Sequence, residues 1–177
     1  SYAMLAALVT VSTGELDAAL GALVDAELLY VQGFPPDATC VFKHALVRDT
    51  AYDSMLESVR SRAHSNVAKA LLGLSDHAFV AECLALPSET FLAEQMDLVD
   101  PERLHEARNQ LRLAITRFLN DEFKKKHEEL KSAGPYSPDP ASTGKRALRN
   151  LILGYLSDLE GPALAARQFK RADNMTD

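Results

Sequence analysis

The residues with chemical reach are few, and their spacing works against most chemistries. Zinc hydrolysis on a helix needs two histidines one turn apart with a glutamate beside the first, HExxH. Both ring nitrogens must face one metal while the carboxylate serves as base. The nearest string is His127-Glu128-Glu129-Leu130-Lys131, where a lysine takes the place of the second ligand and puts a cation where the metal would sit. It reads instead as the exposed, charged end of a helix. The other histidines, His44, His64, His77 and His105, share no helix face with a second ligand three or four residues on. No metal site and no catalytic residue is therefore expected. Cys40 and Cys83 stand far apart without a CxxC or His/Cys spacing, which predicts two reduced thiols and a cytoplasmic setting. The phosphate-cradling string GxxxxGK[ST] is absent, and no serine or cysteine has a readable His and acid partner.

Charge narrows the partners. The chain of 177 residues carries 19 Lys and Arg against 25 Asp and Glu, a net charge of −6, which opposes a footprint on nucleic acid. Lys124-Lys125-Lys126 is the only basic run, and it falls where lysines favour a helix C-terminus. No apolar run reaches the roughly 18–20 residues of a membrane span. Apolar residues make up 47% and aromatic ones only 7%, with no Trp, so the core is built from Leu, Ala and Val and the composition favours helices. The N-terminus, Ser1-Tyr2-Ala3-Met4, lacks the basic region of a signal peptide, and both ends read as cut from something longer.

The elements follow from periodicity and breakers. Tyr2 to Val9 reads as a short helix, and Ser12 with Glu15 forms a capping box for a second one with Leu16, Ala19, Leu20 and Leu23 on one face. Its acidic residues, Glu15, Asp17 and Asp25, with no Lys or Arg between 16 and 26, argue against phosphate contact. Gly33-Phe34-Pro35-Pro36-Asp37 cannot be helical, so Tyr30-Val31-Gln32 and Thr39-Cys40-Val41-Phe42 read as a two-stranded hairpin that neighbouring helices must cover. Helix, helix, hairpin is the order of a winged helix. An antiparallel helical pair follows, with Val47, Ala51 and Met55 on one face and Val59, Ala63, Val67, Ala70 and Leu71 on the next.

After a junction near 73–76, Ser75 is expected to cap a short helix with Phe79, Val80, Cys83 and Leu84, and Ser88 the next. Asp100 caps and Pro101 starts the longest element, a helix of about thirty residues running to Lys131 and spanning about 45 Å. Its apolar stripe is Leu104, Ala107, Leu111, Ala114, Ile115 and Phe118, and it is the expected spine of the fold. A proline loop from Ala133 leads to Pro140, which opens a helix with Ala147, Leu148, Leu151, Ile152, Tyr155 and Leu156 inward. Gly161-Pro162 breaks the chain before a last helix with Leu164, Ala165 and Phe169 on its face. Short loops without a compensating sheet predict stacked helical pairs, although no repeat period is legible.

Two family resemblances attach to these strings. Leu16 to Leu29, FKHALVRDTAY at 42–52 and the Arg-x-His-x-x-Val-Ala-x-Ala-Leu pattern within 61–71 resemble the winged-helix region of signal-transduction ATPases fused to class III adenylate or guanylate cyclases. That resemblance covers residues 5–72 and implies His44 as a candidate nucleotide contact; packing or capping at a helix start is the favoured role of His44. DHAFVAECLALPSETFLAEQMDLVDPERLHEAR, GPYSPDPASTGKRALRNLILGYL and QFKRADNMTD resemble the C-terminal helical domain of bacterial-type aminopeptidase N, a gluzincin zinc aminopeptidase. This one covers 75–177 and implies a superhelix of helix pairs capping a catalytic domain that holds the zinc. The family's GAMEN string is absent, as is HExxH.

The expected architecture is mainly α: a winged-helix-like module with one small hairpin over 1–74, then a helical-pair module over 75–177. The expected function is non-catalytic, structural or protein-interacting, with protein partners or neighbouring domains and neither nucleic acid nor membrane. The alternatives are an accessory, capping portion of a zinc-dependent aminopeptidase N, and a nucleotide-state sensing module of a cyclase-associated ATPase.

Overall fold

The computed structural model describes residues 1–9, 11–131, 134–172 and 174–176. Among them lie ten helices and one two-stranded antiparallel sheet, so the chain is mainly helical as its composition implies. It divides into two compact units, Ser1–Ala70 and Leu71–Asp177.

In the first unit, α1 (Tyr2–Leu8) and α2 (Thr13–Asp25) precede β1 (Leu29–Gln32) and β2 (Thr39–Phe42), followed by α3 (Ala45–Ser54) and α4 (Glu57–Leu72), whose end runs into the second unit. The capping box forms as spaced: the Ser12 hydroxyl accepts from the Glu15 amide, and the Glu15 carboxylate accepts from the Ser12 amide at 2.9 Å. Those hydrogen bonds hold Glu15 below the usual carboxylate range. The strands pair Leu29 with Phe42 and Gln32 with Thr39. A small core covers the hairpin loop, where Tyr2, Leu16 and Ala38 are buried and Leu5, Ala6 and Leu20 pack around them. Tyr2 fixes this core twice, by donating its amide to the Ala38 carbonyl at 2.7 Å and its hydroxyl to Asp17 at 2.7 Å. Further along, α3 has no buried residue; the Tyr52 hydroxyl meets His64 Nε2 of α4 at 2.9 Å, and the Arg60 guanidinium lies over the Tyr52 ring.

The second unit is built on α9 (Pro140–Glu160), against which α5 (His77–Leu84), α7 (Pro101–Phe118), α8 (Asn120–Glu129) and α10 (Ala163–Arg171) all pack; α6 (Glu89–Ala93) packs on α7. Val80, Leu119, Phe123, Leu148, Ile152, Tyr155 and Leu156 form its dry centre. Asp139 caps α9 by accepting from the Ser142 amide at 2.9 Å, which with the Ser137 hydroxyl holds its carboxyl far below the usual range. The cap of α5 is Asp76 rather than the expected Ser75, accepting from the Phe79 amide at 3.0 Å.

The expected single helix from Asp100 to Lys131 is two helices, and it is not the spine. α7 ends at Phe118, and Leu119 (φ −104°, ψ 17°) turns the chain into α8. Thr116 supplies the reason, because its hydroxyl bonds the Arg112 carbonyl one turn back at 2.8 Å and also reaches the Tyr155 carbonyl at 3.2 Å. Such back-bonding bends helices. The bend carries Leu119 and Phe123 into the core, at 1% and 0% exposure. The apolar stripe is displaced with it: Leu111 and Phe118 stand half-exposed, while Thr116, Leu119, Phe123, His127 and Leu130 face inward. On α7 the inner side instead carries Arg108 and Arg112, which leave their charged ends on carbonyls and on Asp158 while their stems cover the core. Phe169 of α10 is likewise exposed and Gln168 buried, the reverse of the expected face.

Two glycines of α9 differ sharply. A Cβ on Gly144 would lie 2.9 Å from the Ala78 amide nitrogen, so α5 and α9 touch backbone to backbone there. On Gly154 it would meet nothing closer than the end of the Arg112 side chain, at 3.5 Å. Gly144→Ala is expected to destabilise the fold by about 1–2 kcal/mol, overpacking exceeding the helix-propensity gain, whereas Gly154→Ala stabilises it by about 0.5–1 kcal/mol. Urea unfolding of the two variants against the parent checks both signs.

Candidate functional site

The strings that carry the aminopeptidase resemblance do identifiable work in the second unit. In Leu86-Pro87-Ser88-Glu89, Ser88 caps α6 by accepting from the Phe91 amide at 3.1 Å, and Arg108 of α7 donates to the Pro87 carbonyl at 2.8 Å. His105 Nδ1 lies 2.8 Å from Glu89, and Asn109 donates to His105 Nε2 at 2.8 Å, so the neutral ring donates from Nδ1 to the carboxylate. The tight turn between α5 and α6 is thus bolted to α7 through His105 and Arg108, three residues apart on one face.

Lys145-Arg146-Ala147-Leu148-Arg149-Asn150 and the string from Gln168 meet at a second joint. Arg146, buried, donates to the Ser137 carbonyl at 2.9 Å and the Thr143 hydroxyl at 3.2 Å, with its guanidinium over the Tyr136 ring, and so ties the proline loop to α9. One turn on, Asn150 donates to the Thr176 carbonyl at 2.9 Å and accepts from Gln168 at 2.7 Å. Gln168 in turn accepts from His127 Nε2 at 3.0 Å. Because the Gln168 amide nitrogen is already spent on Asn150, its oxygen faces His127, and the histidine is the tautomer with hydrogen on Nε2. α8, α9, α10 and the chain after α10 are therefore joined by one polar line. Of the string ADNMTD, Asp173 and Asp177 lie outside the described residues, as does Ala133 at the start of the loop.

His127 is the residue misread from sequence. It is 2% exposed rather than part of a solvated helix end, and Leu130 beside it is also buried. The signal that could have found it is the spacing Leu119, Phe123, His127, Leu130, which continues the core line of α8. Burial pushes the ring below the ordinary histidine value, helped by Arg149 and Lys131, with Gln168 and Glu128 opposing. The site does not suit zinc: Nε2 is bonded to Gln168, and the residue four on, Lys131, pairs with Glu128. Among the described residues no group of three or more His, Cys, Asp and Glu could hold a metal ion. Among the described residues the His44 side chain meets no hydrogen-bond partner; it stands exposed at the N-cap of α3 and makes no side-chain capping bond. Cys40 and Cys83 are both free thiols.

Helices joined end to end by short connections, and held together by polar side chains that are bonded to one another and to backbone carbonyls, define a helical-repeat domain. Residues 39–177 match the family described as a domain of unknown function (DUF3458_C) of ARM repeats, and the chain belongs to that family. It is similar to aminopeptidase N of Caulobacter vibrioides, 42% identical over 106 residues, and to aminopeptidase N of Escherichia coli, 34% identical over 105 residues. Each match covers 58% of this chain and 12% of the relative, so the chain spans about an eighth of the curated relatives' length. A crystal structure of Legionella pneumophila aminopeptidase A in complex with aspartic acid aligns over 99% of this chain and 20% of that one, with a TM-score of 0.57 at 22% identity, a likeness of fold. These similarities support the resemblance to the helical domain of aminopeptidase N. They lend none to the signalling-ATPase resemblance of residues 5–72, and the family match itself takes in 39–72.

The folded state holds His127 neutral to a lower pH than the unfolded chain does, so the unfolded state binds the extra proton as pH falls. Stability contributed by this group is present above the ordinary histidine value near 6.5 and is lost as pH falls from there through the lower folded value. The melting temperature of the parent is expected to drop more between pH 7.5 and pH 5 than that of His127→Gln, which has nothing to protonate there. Equal drops would show that His127 does not titrate differently on folding.

Proposed function

We propose that this chain is a structural, non-catalytic helical domain of an aminopeptidase N-type protein, whose partners are neighbouring protein domains. The observation that carries the reading is how the most aminopeptidase-like strings are used. Ser88 is consumed in capping α6, Arg146 in tying the proline loop to α9, and Glu89, Asn150 and Gln168 in joints between elements of the second unit. On this reading the zinc and the peptide-bond chemistry of such an enzyme belong to residues outside this chain. The joints serve to hold a rigid face against which a catalytic domain is covered.

Large apolar side chains remain on the surface in a pattern that suits this role. Leu98 is 87% exposed and Leu111 50%, beyond what the joints themselves need. The purified chain, incubated with zinc and an alanyl or arginyl chromogenic substrate, is expected to give no turnover. Addition of a catalytic fragment of aminopeptidase N is expected to give a complex by analytical ultracentrifugation and a raised melting temperature of the mixture. Turnover by the chain alone overturns the non-catalytic reading; absence of any complex overturns the domain-packing reading.

A further inference from the structure

Behind the His127–Gln168 joint the second unit has a cleft of about 170 Å³ between α8, α9 and α10. Its lining is unlike the rest of the molecule. Among the described lining residues Lys131, Arg149, Arg167 and Arg171 are cations and Glu128 is the one carboxylate, in a chain whose net charge is −6. Lys131 is paired with Glu128 and Arg149 has an interaction of its own, so the site turns on Arg167 and Arg171. Glu128 is committed to Lys131, an ion pair that draws its carboxyl below the usual range. Arg167 and Arg171 lie one turn apart on α10, both exposed, and neither makes an ion pair or side-chain hydrogen bond with any described residue. His127 supplies no anion to balance them, because an imidazole is neutral or cationic, and its Nε2 hydrogen is bonded to Gln168.

We propose that this cleft binds a small oxyanion, a phosphate or a carboxylate, held by Arg167 and Arg171. Residues four apart on a helix are neighbours, so the two guanidinium groups can close on one ligand as a pair of forks, the geometry that planar arginine gives to phosphate and carboxylate oxygens. Their mutual repulsion is relieved by the anion between them. The volume is several times the roughly 30 Å³ share of one liquid water, so a phosphate or a carboxylate group fits without rearrangement. Leu164 on the cleft wall limits water on one side, which strengthens the charge interaction relative to open solvent. The inference rests on the charge and shape of the cleft and stands whether or not the chain serves an aminopeptidase.

The test is isothermal titration of the full chain with inorganic phosphate and, separately, with succinate, against sodium chloride at matched ionic strength and pH 7.5. Saturable binding at one site with a dissociation constant below about 1 mM is expected for at least one of the two anions. The double variant Arg167→Gln/Arg171→Gln is expected to weaken it at least tenfold, while Lys170→Gln, on the same helix but outside the lining, leaves it unchanged. Both altered arginines are exposed, and circular dichroism confirms that the variant keeps its helices. Saturation by phosphate alone assigns a phosphate site, and saturation by succinate assigns a carboxylate site; either result upholds the proposal. Heats equal to those of chloride for both anions, or saturation that the double variant retains, overturn it.

Discussion

The second unit depends on how Tyr155 is buried. Its ring is fully covered, tilted against Phe123 of α8 with centroids 5.3 Å apart, and the Arg112 guanidinium of α7 lies 4.8 Å from its centroid. Its hydroxyl donates to the Leu84 carbonyl at the end of α5 at 2.7 Å, and its own backbone carbonyl accepts from Thr116 of α7. One side chain on α9 therefore touches three other helices and satisfies a carbonyl that a helix C-terminus leaves open. Burial raises the phenol above its ordinary value, which keeps it a donor over the whole range in which the protein is handled. A buried tyrosine without that acceptor would carry the desolvation cost of its hydroxyl, so the positions of α5 and α9 are linked by this bond as well as by the close approach at Gly144.

The same logic explains why α9 rather than the α7–α8 pair is the spine. A helix becomes central when opposite faces are both buried, and α9 meets helices on several sides along its 21 residues. It pays for this with buried arginines. Arg146 can be accommodated because its charge is delocalised and its two terminal nitrogens reach a carbonyl and a hydroxyl while the guanidinium lies over an aromatic face, although its buried Nε has no hydrogen-bond partner among the described residues. The α7–α8 pair shares only α9 along both its helices, α6 lying on α7 alone, and its bend at Leu119 carries Leu119 and Phe123 into the core.

The parts of this architecture that were legible in sequence are the local ones. The Ser12–Glu15 box, the Ser88 and Asp100 caps, Pro140 at the first turn of α9 and the hairpin around Pro35-Pro36 are each decided within a few residues, and they stand where the spacing put them. Apart from the α5 cap, which is Asp76 and not its neighbour Ser75, the misreadings lie where a distant residue decides. An apolar count cannot foresee that Arg108 and Arg112 face inward, because their partners are the carbonyl of Pro87 and the carboxylate of Asp158. His127 was set aside as a failed metal ligand because the sequence shows Lys131 four residues on, whereas its actual partner, Gln168, is 41 residues away. The threonine that bends the long helix is equally silent until Tyr155 is brought beside it.

Family likeness and chemical function part company for the same reason. A string such as KRALRN looks like a site because polar and charged residues recur in it at fixed intervals. In the structure those intervals are one-turn steps along a buried helix, and two of the polar groups are aimed at neighbouring elements: Arg146 at the proline loop, Asn150 at the chain after α10 and at Gln168. Specific polar joints of this kind fix the register of stacked helices in a way that leucines, which slide with little penalty, cannot. What such strings report is therefore the geometry of the stack. Chemistry addressed to other molecules has to be sought where polar groups are left over after the joints are made, and on α10 the groups left over are Arg167 and Arg171.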